Sequence, residues 1–195
     1  MDQRATDLTV AGLAFGALVG GVVEARRGSL RSMEARWFAG LNRVSARGHV
    51  PVWAAMQLGS LGGSLAVGAA VARAGRPRLG RRLATVGALA WAGSKVVKPF
   101  AQRGRPASVV EAARVLGREQ AGLGYPSGHA AVAVAMALAA APHVGPRWRA
   151  PLVTGATAVG AARIYVGAHL PLDVAGGVAL GVATERVVRA LRGPA

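Results

Sequence analysis

Three short polar segments interrupt an otherwise largely apolar chain, and each holds side chains suited to binding phosphate or moving protons. Their residues of interest are Lys98 and Arg105 in the first segment, Pro126–Ser127–Gly128–His129 in the second, and Arg163, His169 and Asp173 in the third. Arginine presents a planar fork that matches phosphate oxygens, and lysine supplies a compact positive charge. For each cation taken singly, snorkelling to the membrane interface is the ordinary alternative. Together, the segments predict an anion site with acid–base groups beside it.

The second segment has the composition of a helix start and precedes a long apolar run. Pro126 suits the first turn of a helix, where a missing N–H costs nothing. Ser127 and Gly128 offer a hydroxyl and unhindered N–H groups at the positive end of that helix, which is an arrangement that binds phosphate. His129 can gain or lose a proton near neutral pH. For this tetrapeptide alone, an ordinary turn before a helix is the competing interpretation.

The third segment places His169 and Asp173 four residues apart, with Pro171 suited to the first turn of a following helix. Asp173 can then hydrogen-bond one imidazole nitrogen and leave the other as a nucleophile. His129, on another helix, can donate a proton to a leaving oxygen. A divalent metal ion is the competing hypothesis, but three nearby cations would repel it. We therefore predict no metal and no other cofactor.

The composition indicates a membrane protein. Hydrophobic residues make up 52% of the 195, cysteine is absent, and 24 Lys and Arg face 8 Asp and Glu. The apolar residues come in blocks separated by arginine-rich stretches, which is typical of a polytopic protein. The net charge of +16 is then better explained by basic residues that orient the spans and contact anionic lipids than by nucleic-acid binding. We predict one membrane-embedded domain over residues 1–195, with the bilayer and a membrane lipid as partners and no nucleic acid. A homo-oligomer is allowed but not indicated.

The apolar blocks predict an all-α fold with six transmembrane helices: Leu8–Val23, Pro51–Ala72, Leu83–Val97, His129–Ala141, Ala150–Val166 and a last one from Pro171 to about Val188. Between the first two, apolar residues recur with helical spacing at Leu30, Met33, Trp37, Leu41 and Val44. We expect an amphipathic helix in the membrane interface there, with Trp37 and Phe38 at headgroup level. A helix packed on the protein itself is the alternative.

The alternation of the spans brings the three polar segments together. Successive spans run in opposite directions, so the junction of spans three and four shares a membrane face with the junction of spans five and six. The distribution of arginines favours a cytoplasmic N-terminus, although the contrast between the two faces is weak. We therefore expect a multi-pass protein of the cell membrane with this site on the extracytoplasmic face.

The three segments match, in order and internal spacing, the motifs Lys-x6-Arg-Pro, Pro-Ser-Gly-His and Ser-Arg-x5-His-x3-Asp. Over roughly Leu83 to Leu191, the chain thus resembles the type-2 phosphatidic acid phosphatase superfamily of integral membrane lipid phosphatases. The resemblance implies a metal-independent phosphohydrolase in which His169 becomes a phosphohistidine and Asp173 orients it. It also implies that His129 protonates the leaving group and later helps to activate water. The phosphoryl oxygens would be held by Lys98, Arg105, Ser127, the N–H of Gly128, and Arg163.

The implied substrate is a polyprenyl phosphate or diphosphate, with a glycerophospholipid phosphate such as phosphatidate or phosphatidylglycerophosphate as the alternative. One position departs from the motif, because Ala162 stands where the family has serine. A phosphate contact or a supporting hydrogen bond is then missing, so we expect reduced or altered activity. This departure leaves open a rival from another class, a non-catalytic membrane protein that binds or transports a phosphorylated lipid.

Overall fold

All regular secondary structure in residues 2–192, the part that this computed structural model describes, is helical, which confirms the all-α prediction. The helices are α1 (Gln3–Arg26), α2 (Ser32–Asn42), α3 (His49–Met56), α4 (Leu61–Arg73), α5 (Pro77–Ala101), α6 (Pro106–Val109), α7 (Gly128–Ala140), α8 (Pro146–Tyr165) and α9 (Pro171–Arg192). Short 3₁₀ turns lie at Ala46–Gly48, Gln57–Gly59 and Ala141–His143.

The predicted second span, Pro51–Ala72, is broken rather than continuous. A 3₁₀ turn follows α3, and the axis then bends by 69° into α4. Ser60 causes the break, because its Oγ donates to the carbonyl of Gln57 (2.7 Å) and accepts the N–H of Gly63 (2.9 Å), as an N-cap does. The span prediction missed this capping residue because Ser60 lies within a largely apolar stretch.

By length and apolarity, α1 is the one helix within residues 2–192 that can cross a bilayer by itself, and the bent pair α3–α4 passes only when taken together. The count of six spans therefore stays a prediction. Large apolar side chains nevertheless cover the outside of the bundle, including Leu13 (71% exposed) on α1 and Val96 (66%) on α5. Water disfavours such a surface and hydrocarbon does not.

Helix α7 lies at the centre of the bundle and packs against α5, α8 and α9. Glycines let α9 approach it closely. A Cβ on Gly177 would lie 2.4 Å from the carbonyl oxygen of Ser127, and one on Gly181 would lie 2.5 Å from that of Ala131. The first residues of α7 and α9 are thereby held side by side, at the end of the bundle where the polar segments collect.

The opposite end of the bundle is closed by buried ion pairs. The carboxylate of Asp7, near the start of α1, accepts from Arg186 (3.1 Å) and Arg189 (2.8 Å) near the end of α9. Arg82 of α5 donates to Glu185 of α9 at 3.1 Å. These contacts show that α1 and α9 run antiparallel. The start of α1 meets the end of α9 at the end of the bundle opposite the polar segments.

Helix α2 lies against the bundle with a face that includes only part of the apolar stripe predicted from its periodicity. Met33 is 60% and Trp37 63% exposed, as expected of an interfacial helix, whereas Leu30 and Leu41 of the same predicted stripe pack partly buried against the protein. The prediction for Phe38 was wrong, because this residue is 2% exposed and packs with Ile164 and Leu170. The alternative, a helix packed on the protein itself, thus holds for the inner face of α2.

Candidate active site

The three polar segments lie together at one end of the bundle, as the alternation of the helices predicted. Lys98 is in the last turn of α5, His129 in the first turn of α7, Arg163 in the last turn of α8, and Asp173 in the first turn of α9. Each segment is hydrogen-bonded to the other two. These bonds run from Arg105 to Ala168 O (2.7 Å), from Lys98 to Pro126 O (3.1 Å) and from Ser127 N to Asp173 O (2.8 Å).

His169 is positioned by the short turn between α8 and α9. Gly167 ends α8 in a left-handed conformation (φ 74°), and a Cβ there would lie 2.1 Å from the carbonyl oxygen of Arg114, so only glycine fits. The N–H of His169 then donates to the carbonyl of Arg163 at 3.1 Å. Pro171 starts α9 two residues later, as predicted.

The imidazole of His169 is buried beside Asp173, with Nδ1 3.3 Å from Oδ2. The same oxygen accepts the N–H of Leu170 at 2.9 Å. A carboxylate acceptor assigns the proton to Nδ1 and leaves a lone pair on Nε2. Burial, against the opposing effect of Asp173, lowers the pKa of His169 to about 4. The imidazole is therefore neutral at pH 7, the form that a nucleophile needs.

Three buried nitrogen atoms near His169 have no hydrogen-bond partner within the described chain: Nε2 of His129, Nε of Arg105 and Nε of Arg163. They come from α7, from the loop after α5, and from α8. Buried polar groups are normally paired, and an unpaired one costs about 1–3 kcal/mol. An anion with several acceptor oxygens would satisfy all three.

Lys98 was predicted to bind phosphate oxygens, but in the structure it contacts backbone carbonyls. Its ammonium donates to the carbonyls of Leu123 (2.7 Å), Gly124 (2.9 Å) and Pro126 (3.1 Å). A lysine ammonium has three N–H groups, and these three bonds use them all. Lys98 therefore holds the loop that leads into the second polar segment, and its contact with phosphate stays a prediction.

Ser127 and Gly128 form the N-terminus of α7, but Pro126 lies outside its first turn, contrary to the prediction. Ser127 is the N-cap, and its buried Oγ accepts the N–H of Ala130 at 3.5 Å. A Cβ on Gly128 would lie 2.8 Å from Oγ of Ser94 on α5, so a larger residue is disfavoured. The expected helix start, with its positive end toward His129, is present.

Two residues of this region were missed by the sequence analysis. Arg103 forms ion pairs with Asp173 (3.2 Å) and with Glu34 of α2 (2.7 Å). No motif spacing relates Glu34 to the other two. The available signal was that Glu34 is the one acidic residue between Arg26 and Arg47.

An apolar cavity of about 450 Å³ lies along the bundle, and two of its lining residues, Met56 and Ala162, are next to Arg163. Its wall includes Met56, Leu83, Met136, Leu152, Val159 and Ala162. Met56 is the junction, because its sulfur lies 3.6 Å from Nη1 of Arg163. Ala162, where the motif has serine, is thus part of an apolar wall next to a buried cation.

Within residues 2–192, no three His, Cys, Asp or Glu side chains are grouped so that they could hold a metal ion. The charged side chains that act on the two histidines are mainly cations: Arg105 and Arg163 act on both, and Lys95 acts on His129. The electrostatics of the site therefore suit an anion.

Fold and site define a helical membrane protein with an anion site built from two histidines, an aspartate and arginines. The sequence profile of the PAP2 superfamily matches residues 79–194, more than half of the chain, and includes all three polar segments. The chain therefore belongs to the PAP2 superfamily, which confirms the resemblance noted from the motifs. A comparison with curated proteins found no match.

Two crystal structures have the same fold. LpxE from Aquifex aeolicus is 24% identical with a TM-score of 0.69, over 83% of this chain and 96% of that chain. The first transmembrane PAP2-type phosphatidylglycerolphosphate phosphatase from Bacillus subtilis is 20% identical with a TM-score of 0.68, over 91% and 94% of the two chains. Both likenesses extend into the part of the chain that precedes the matched family region.

Proposed function

We propose that this protein is a membrane lipid phosphatase that removes phosphate from a lipid through a phosphohistidine at His169, without a metal ion. One observation carries the proposal: a neutral, aspartate-oriented imidazole lies among three buried nitrogen atoms that lack partners, on His129, Arg105 and Arg163. A phosphoryl group has oxygens for all of them. Membership of the PAP2 superfamily supports the same reaction class.

In the first step, the Nε2 lone pair of His169 attacks phosphorus, and the bond from phosphorus to the lipid oxygen breaks. His129 gives a proton to the departing oxygen, so the lipid leaves as an alcohol, or as a lipid monophosphate when the substrate is a diphosphate. Asp173 stabilises the positive charge that develops on the imidazole. Arg105 and Arg163 neutralise the equatorial oxygens, where each such donor is worth roughly 3–4 kcal/mol in comparable oxyanion sites.

In the second step, water attacks the phosphohistidine. His129, now deprotonated, accepts a proton from the water as the P–N bond breaks, and inorganic phosphate is released. The net reaction consumes one water and returns His169 to its neutral form. Ser127 and the N–H of Gly128 add donors at the helix start, and Lys98 contributes indirectly by holding the loop before them.

The hydrocarbon chain of the substrate fits the apolar cavity that meets Arg163 at Met56. Our leading substrate is a polyprenyl phosphate or diphosphate. The second candidate is a glycerophospholipid phosphate. The structurally similar Bacillus subtilis protein, a phosphatidylglycerolphosphate phosphatase, supports this candidate. We place the protein in the cell membrane as a multi-pass protein, with the site on the extracytoplasmic face.

The test is release of inorganic phosphate from polyprenyl diphosphate, polyprenyl phosphate and phosphatidylglycerophosphate in mixed micelles containing EDTA. We expect turnover of at least one substrate with EDTA present, and no turnover by His169→Ala. The matched control is His143→Ala, since His143 lies in the 3₁₀ turn after α7, away from the site. Loss of turnover on chelation would refute the metal-free mechanism, and substantial activity of His169→Ala would refute the nucleophile.

The rival function is binding of a lipid phosphate without hydrolysis. It is considered because Ala162 stands where the family motif has serine. Rapid quenching with a ³²P-labelled lipid phosphate distinguishes the two. An enzyme traps acid-labile, alkali-stable label on the protein, and His169→Ala does not. Binding of the lipid by the wild-type protein without covalent label or phosphate release would favour the rival.

A further inference from the structure

Glu34 of α2 is a largely buried carboxylate outside the three polar segments and outside the matched region. Its side chain is 10% exposed and that of Arg103 is 9% exposed. Two parallel hydrogen bonds join them, Nη1 to Oε1 at 2.9 Å and Nη2 to Oε2 at 2.7 Å. A buried bidentate pair fixes both side chains, and removal of one partner leaves the other charge buried alone.

Arg103 connects this pair to the nucleophile. Its Nη1 also donates to Oδ1 of Asp173 at 3.2 Å, while Oδ2 of Asp173 faces the imidazole of His169. Burial alone would lower the pKa of Arg103, but hydrogen bonds and charges from Glu34 and Asp173 raise it above its ordinary value. The guanidinium is therefore a fixed positive charge shared between two carboxylates.

Glu34 has a second contact with the same region. Its Oε1 accepts the backbone N–H of Leu172 at 2.9 Å. Leu172 is the second residue of α9, where backbone N–H groups have no acceptor within the helix. Glu34 thus caps the turn that carries Asp173, from a helix far away in sequence.

We propose that Glu34 and Arg103 are positioning residues for His169: Glu34 balances the charge of Arg103 and fixes the first turn of α9, so that Asp173 stays directed at the imidazole. The proposal rests on the proposed function, in which His169 is the nucleophile. It gives α2, which carries none of the three motifs, a part in the reaction. A purely structural attachment of α2 to the bundle is the competing explanation.

The two explanations differ in what they predict for the charge on His169. The charged and titratable groups that face it are Asp173 of α9, Arg163 of α8, Arg105 of the loop after α5, and His129 of α7. Removal of the Glu34 charge leaves Arg103 uncompensated, which disfavours the imidazolium and lowers the pKa of His169. Removal of Arg103 frees the charge of Asp173 and raises that pKa.

The experiment measures this pKa directly in the full-length protein in detergent micelles. The chain has four histidines, so ¹⁵N-histidine labelling gives few imidazole signals, and His169→Gln assigns the one of interest. We expect Glu34→Gln to lower the pKa of His169 from about 4 and Arg103→Gln to raise it. In the double variant, the pKa of His169 should lie between the values measured for the two single variants.

Phosphate release gives the second readout. Loss of the partners that orient metal-bound histidines typically costs about 10–100-fold, and by analogy we expect kcat of either single variant to fall by a similar factor while KM changes little. The matched controls are Glu24→Gln and Arg31→Gln, which break a similar ion pair (2.6 Å) at the protein surface. They should leave both kcat and the pKa of His169 unchanged.

Shifts of the His169 pKa in the same direction for both single variants, or no shift in well-folded protein, would overturn the proposal. If Glu34→Gln does not fold, Arg103→Lys replaces it, because lysine keeps the charge but loses the fork. It should lower kcat and leave the pKa near that of the wild type, and an unchanged kcat would contradict positioning. A wild-type protein with no phosphatase activity refutes the proposed function, while the NMR titration still decides whether the two residues act on His169.

Discussion

Ala162 lies between two environments, because the apolar cavity is on one side and Arg163 follows it in the chain. It is 9% exposed and packs with Met56 and Val159. An alanine here extends the apolar wall up to the cation, where the motif would supply a hydroxyl. Under the proposed function, this departure would favour contact with the hydrocarbon part of the substrate over one extra hydrogen bond to its phosphate.

We expect Ala162→Ser to increase kcat roughly 2- to 10-fold, the equivalent of one hydrogen bond worth about 0.5–1.5 kcal/mol. Phosphate release in mixed micelles is the measurement. Val159→Ser is the control, since it adds a hydroxyl to the same wall one turn earlier on α8. Equal losses of activity in the two variants would mean that position 162 only needs to be apolar.

At the level of helices, the close contact of α7 with α9 brings the two histidines together. Gly181 has no room for a side chain, because a Cβ would lie 2.5 Å from a backbone oxygen of α7. Gly12 of α1, in contrast, has no atom within 4 Å of its Cβ position. The two glycines are thus alike in sequence and opposite in packing.

Gly181→Ala should destabilise the protein by about 1–3 kcal/mol, the usual cost of overpacking, and should lower turnover through displacement of α9. Thermal unfolding in detergent measures the first effect. Gly12→Ala has space for its methyl group and should unfold at the wild-type temperature or slightly above it. A similar loss of stability in both variants would show that helix flexibility, not contact with α7, explains the effect.

Much of the site was predictable, because the order of the helices follows from the apolar blocks, and alternating helices must bring alternate junctions to one end. The pairing of His169 with Asp173 followed from their spacing across Pro171. Three features were not predictable in this way. Ser60 breaks a span through a local cap inside apolar sequence, Lys98 turns to carbonyls of a loop, and Glu34 meets Arg103 from 69 residues away.

For the whole molecule, the absence of cysteine allows a clean test of the proposed orientation in the membrane. We expect Ala121→Cys, exposed in the loop on the site side, to react with an impermeant maleimide in intact cells. Ala74→Cys, exposed after α4 at the opposite end, should react only after permeabilisation. The reverse pattern would place the site in the cytoplasm.

The ion pairs of Asp7 with Arg186 and Arg189 have a consequence for biosynthesis. The carboxylate leaves the ribosome in the first helix, and its two partners follow 179 and 182 residues later. The helix that supplies them also supplies Asp173 in its first turn. Helix α9 thus supplies the partners of Asp7 and, under the proposed function, the carboxylate that orients the nucleophile, so a nascent chain stalled before α9 lacks both.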